Sequence, residues 1–229
     1  MLARRLLALV AVVFSVARCA EQPTAIQPPA TPAFVRWAGS VKPQFSASSV
    51  LPRRDGRGLL QTPPISLDQY SVSFWAVRGE SRSVRINYMD AQGGNEHPFL
   101  VLTTTDPVFV PGVGELAVGD SALLTVTIDT INLGVSLEPT GLQFGEPAQL
   151  TISYGGANGD LNGDGMVDSV DTYVEQQLLG VWYREGEEPW SPIPASHSFD
   201  NKSFTTALPH FSEYLLGFVE ALMDWATSW

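Results

Sequence analysis

The 229-residue chain is long enough for one large β domain or two small ones, and 44% hydrophobic residues against 16% charged leave ample material for a core. A formal net charge of −11 argues against a nucleic-acid backbone or an anionic membrane surface as partner, because both would be repelled. A protein of unknown identity or a cell-surface polymer is the partner class that remains.

Arg4 and Arg5 precede an apolar run from Leu6 to Ala17, which predicts an export signal over residues 1–19. The run is shorter than the ~20 residues of a membrane span. Cys19 is the single cysteine, so no intramolecular disulfide can form. It stands where a bacterial lipoprotein carries its acylated cysteine, and the Pro-rich residues 20–33 resemble a lipoprotein tether, extended and able to hold a domain off the membrane. Arg18 departs from the small residue usual before that cysteine, and an ordinary secretory signal is the other reading. Either way the chain is expected to be exported, with membrane contact only through the anchor.

Residues 34–217 read as an all-β, antiparallel sandwich. Val72, Phe74 and Ala76 alternate with Ser71, Ser73 and Trp75; Val84, Ile86 and Tyr88 alternate with Ser83, Arg85 and Asn87. With Arg78-Gly79-Glu80-Ser81 between them, the two runs predict a β-hairpin. HPFLVLTTT, SALLTVTID, NLGVSLEP, AQLTISY and KSFTTAL are further strands at similar spacing. Two segments break the pattern. Val170, Val174 and Leu178 recur every four residues, which predicts a short helix over 171–179 ending at Gly180. Phe218, Leu222, Trp225 and Trp229 predict an amphipathic helix over 218–229.

GDLNGDGMVDSVD has the spacing of an EF-hand calcium loop. From Asp160, side-chain oxygens fall at loop positions 1, 3, 5, 9 and 12: Asp160, Asn162, Asp164, Asp168 and Asp171. Gly165 occupies the sharp turn, Met166 offers a carbonyl, and Val167 is the expected apolar anchor. Calcium is a hard cation that takes six to eight oxygens, and without it four carboxylates would repel one another. The alternative is a Gly/Asp-rich turn held by its own hydrogen bonds. The loop resembles a dockerin calcium repeat, with Asp at position 12 and a strand leading in. Dockerins carry two repeats and this chain one, so cohesin binding does not follow. The ion's expected role is to pin a long loop between two strands.

Pro139, Gly141, Leu142, Phe144, Pro147 and Leu150, then Trp190 and His210-Phe211-Ser212, resemble the ZU domain of zonula occludens proteins and netrin receptors. The resemblance covers residues 119–216, with 158–180 as an insertion carrying the calcium loop and helix. Some relatives cut themselves between Phe and Ser of that tripeptide. Carried over, the resemblance implies Ser212 as nucleophile and His210 as base; the plainer reading is that both cap a strand while Phe211 fills the core.

Ser196, His197, Ser198 and Asp200 have triad residue types, crowded into one polar stretch. His97 before Pro98 reads as a turn residue. Trp37, Trp75, Trp182 and Trp190 lie in strand-like runs, where core packing competes with a carbohydrate-stacking platform. The leading expectation is a non-catalytic, calcium-stiffened envelope module; a self-cleaving module and a carbohydrate-binding module are the alternatives.

Overall fold

The computed structural model describes residues 31–39, 44–52, 59–65, 70–89 and 95–220, with backbone alone for 49–52 and 59–65. The export signal, Cys19, nearly all of the tether and residues 221–229 of the expected C-terminal helix lie outside the described residues. The chain runs through β1 (Ala33–Phe34), β2 (Phe45–Pro52), β3 (Leu59–Ile65), β4 (Ser71–Val77), β5 (Arg82–Met89) and β6 (Glu96–Thr104). Then come β7 (Pro107–Val110), β8 (Gly114–Glu115), β9 (Ser121–Ile128), β10 (Gly134–Glu138) and β11 (Gln143–Ser153). Beyond a helical excursion lie β12 (Gly180–Arg184), β13 (Ser191–Ile193), β14 (Ser196–Ser198), β15 (Ser203–His210) and β16 (Glu213–Phe218).

Among the described residues these strands form two antiparallel sheets. One has the order β13-β12-β16-β10-β9-β4, with β1 paired to the end of β16; the other runs β14-β15-β11-β6-β5-β2-β3, with β7 on β11 and β8 on β7. Period-2 alternation gives each sheet one apolar face. Leu124, Val126, Leu137 and Leu216 of the first sheet and Ile86, Leu100, Leu102 and Ile152 of the second are essentially inaccessible and belong to one hydrophobic core. Both sheets draw strands from both halves of the sequence, so the architecture is a β-sandwich with interleaved connectivity.

The expected hairpin is not formed. β4 pairs with β9, and β5 pairs with β2 and β6, so residues 78–81 carry the chain from one sheet to the other. Alternation specifies which face of a strand is buried and leaves its neighbour open. The connection is an arch fixed on both sides: Arg78 N–H donates to Asp120 O, Gly79 N–H donates to Thr105 O, and Arg78 Nε lies 3.1 Å from Asp106 Oδ1. Three further expectations shift. Ala33, assigned to the tether, already pairs with Phe218, and Phe218 is the last residue of β16 rather than the first of a helix. His97 lies in β6 opposite Tyr88 rather than in a turn.

Trp37 closes one end of the sandwich. Its ring centre lies 4.7 Å from that of Phe99, 5.2 Å from Phe45 and 5.4 Å from Tyr88, and its Nε1–H donates to Asp129 O at 2.8 Å. Gly156 permits this packing, because a Cβ there would stand 2.4 Å from Trp37 Cζ3. Gly156→Ala is therefore expected to destabilise by about 1–3 kcal/mol through overpacking. Gly180→Ala, where a Cβ meets nothing within 4 Å, should stay within about 0.5 kcal/mol of the parent when both variants are measured by urea titration.

Candidate functional site

After β11 the chain makes a 3-10 turn (Gly155–Ala157), passes Asn158 at φ 54°, and enters the Gly/Asp-rich loop. It leaves through helix α1 (Ser169–Tyr173) and a π-helical turn (Val174–Leu178) into β12. The expected helix is present, beginning two residues earlier than its apolar periodicity suggests. Asp168 caps it: the Asp168 carboxylate accepts from Val170 N–H, while Asp171 at the third position reaches back to accept from Asp168 N–H.

The loop oxygens are organised by the loop's own backbone. Asp160 accepts from Gly163 N–H at 2.7 Å and from Gly165 N–H at 3.0 Å. Gly163 and Gly165 take φ of 78° and 86°, a region that costs glycine little. Asn162 Oδ1 accepts from Asp164 N–H, and Asp164 Oδ1 from Met166 N–H. Asp171 is 4% exposed and gathers Leu161, Asn162 and Asp168 N–H groups. Asp160, Asn162, Asp164 and Asp168 are thus turned toward loop N–H groups, as the alternative reading of a self-bonded turn also requires. Asp171 Oδ1 is filled by two N–H groups, but its Oδ2 and the oxygens of Asp160, Asp164 and Asp168 accept at most one each and retain a lone pair, so the donor set of four carboxylates, one amide and the Met166 carbonyl fits a hard divalent cation in chemistry. Among the described residues, no three His, Cys, Asp or Glu side chains are gathered closely enough to hold a metal. Val167 does not anchor the loop: it is 67% exposed, and Leu161 and Val174 are buried in its place.

A cluster that sequence reasoning missed ties this excursion to the second sheet. The Tyr154 hydroxyl, one residue past β11, donates to Glu175 Oε1 at 2.8 Å and lies 2.9 Å from His197 Nε2. Since its one proton goes to Glu175, the hydroxyl oxygen accepts from Nε2–H. His197 stacks on Phe204 with ring centres 4.1 Å apart. Burial raises the Tyr154 hydroxyl well above its ordinary range, and Glu175 adds to the rise. The three residues are scattered along the chain with no local motif to connect them. The triad residue types do not assemble: His197 faces Tyr154, while Ser198 Oγ accepts from Asn201.

Motifs of the second half meet at the other end of β15. Gly141 N–H donates to Phe211 O and Phe211 N–H to Leu142 O, and the rings of Phe144 and Phe211 lie 5.1 Å apart. Phe211 and Ser212 are buried. Ser212 Oγ donates to Arg184 O, and His210 Nδ1 lies 3.4 Å from Phe211 O rather than on the serine hydroxyl. Of the tryptophans, Trp37 belongs to the core, Trp182 is buried opposite Leu215 outside the core cluster, Trp190 is half-buried and Trp75 is 54% exposed.

Burial lowers the pKa of His197 from its ordinary 6.5, with Glu175 partly opposing. The unfolded chain then takes up this proton first, so the stability tied to neutral His197 is full above about pH 6.5 and is lost as pH falls from there toward the folded value. His197→Gln, which keeps a donor for Tyr154, should show a shallower fall in melting temperature between about pH 7 and pH 5 than the parent.

Comparison with family models, with curated proteins and with solved structures finds no match to this chain.

Proposed function

We propose that the chain is a non-catalytic, exported cell-envelope β-sandwich module, stiffened by one structural calcium ion, that binds a protein or a cell-surface polymer. The observation that carries this reading is the position of the loop. Asp160, Asn162, Asp164, Asp168 and Asp171 stand at calcium-loop spacing in the connection that leaves β11 in one sheet and enters β12 in the other. An ion held there by these side chains and the Met166 carbonyl would offset carboxylate repulsion and fix the crossing between layers. The ZU-like pattern and the dockerin-like repeat agree with an exported binding module, as do Arg4, Arg5 and the apolar run before Cys19.

Calcium that binds only the folded chain raises stability with the logarithm of its concentration, by about 2.7 kcal/mol at a hundredfold excess over Kd. The melting temperature of the full chain should therefore rise on calcium titration, and Asp164→Ala should abolish the rise. A flat titration, or an equal rise in the variant, removes the calcium site. The non-catalytic reading has its own check. The chain should run as one band on a denaturing gel, and a fragment ending at Phe211 that disappears in Ser212→Ala would overturn it.

A further inference from the structure

On the outer face of the first sheet, away from the core, β10, β16 and β12 carry Ser136, Glu213 and Arg184 side by side in register. Phe34 and Trp190 rise beside them and enclose a cleft of about 370 Å³. That volume is at the lower end of small-molecule sites, roughly 300–1,000 Å³, and too small for a macromolecular face. The wall is fixed. The Arg184 guanidinium lies 4.7 Å from the centre of the Trp190 ring, and Phe34 meets the same ring edge-on at 4.9 Å.

The polar side of the cleft keeps unused capacity. Arg184 Nε and Nη2 both donate to Glu213 Oε2, at 2.9 and 2.5 Å. Glu213 Oε1, Arg184 Nη1 and the Ser136 hydroxyl take no hydrogen bond among the described residues, so an acceptor, a donor and a two-way hydroxyl share one cleft with an aromatic wall. Asp129, also lining the cleft, is occupied by Ile131 N–H, Asn132 N–H and Asn132 Nδ2.

We propose that this cleft binds a short neutral saccharide segment. A sugar ring is amphipathic: its C–H face suits the Phe34–Trp190–Leu215 side, and its vicinal hydroxyls are donors and acceptors at once, matching Glu213, Arg184 and Ser136. Arg184, Glu213 and Asp129 together leave the cleft with an excess negative charge, and the chain carries −11, so an acidic polymer is repelled. A purely apolar ligand would bury the free carboxylate oxygen and hydroxyl without partners. The inference rests on the binding-module reading and names its ligand.

The test is calorimetric titration of the full chain with gluco-, xylo-, manno- and chito-oligosaccharides, with oligogalacturonate and tetralysine as charged controls. Probes are taken to about 10 mM, which reveals a millimolar Kd. At least one neutral oligosaccharide should bind. Ser136→Tyr, which fills the cleft from its solvent side, and Glu213→Gln should each weaken that binding about tenfold or more, equivalent to about 1.4 kcal/mol. No neutral probe binding, binding of a charged control alone, or equal affinity in both variants overturns the assignment. The calcium response of the melting temperature is read on the same samples. A lost saccharide signal with an intact calcium response overturns the cleft alone, whereas a flat calcium titration falls on the module reading.

Discussion

The structure depends on burial between two sheets that neither half of the chain can complete. Ile152 on β11 pairs with Leu100 on β6, and Val72 on β4 pairs with Val126 on β9, so the early strands finish sheets that the later strands begin. Each sheet alone would expose a continuous apolar face, and removing that face from water is the dominant favourable contribution to folding. The arch at residues 78–81, the Trp37 cluster and the helical excursion all hold segments that pass between layers.

The excursion shows how a polar segment is made compatible with such a fold. Asp160, Asp164 and Asp168 stay at the surface and turn back on the loop, while the buried Asp171 absorbs three N–H groups that would otherwise lack partners. Anchoring is left to Leu161 and Val174, which are buried on either side of the exposed stretch from Gly163 to Ser169. Tyr154 then fastens the far end of the excursion to β14 through Glu175 and His197. A cation at the loop and a proton at His197 would act on the same connection from opposite ends.

What was legible in the sequence was local. Alternation in residues 71–77 and 83–88 identified the faces that bury Val72, Phe74 and Ala76 and then Val84 and Ile86, because a period of two is fixed by strand geometry. The glycines at 163 and 165 and the spacing of Asp160 to Asp171 located the loop, and the Val170–Val174–Leu178 rhythm located its helix. Strand partnership was not legible, since nothing in Val77 through Arg82 distinguishes a hairpin from an arch; the choice is made by Asp106, Thr105 and Asp120, remote in sequence. Val167 misled for a related reason: an apolar residue in a loop is an anchor only if another surface covers it. The Ser136–Glu213–Arg184 row was invisible because it exists only once β10, β16 and β12 are paired.

The placement of β16 sets the order in which the molecule can be completed. This strand, residues 213–218, lies between β10 and β12 and also pairs with β1, whose Ala33 stands opposite Phe218. A growing chain thus has the first strand and most of the sandwich long before it has the strand that joins them. Contacts of such long sequence separation carry a high loop-closure entropy and form slowly. Until β16 is added the first sheet remains in two pieces, β13-β12 and β10-β9-β4, with apolar faces open. Loss of residues from β16 would therefore act as an architectural lesion at the middle of a sheet.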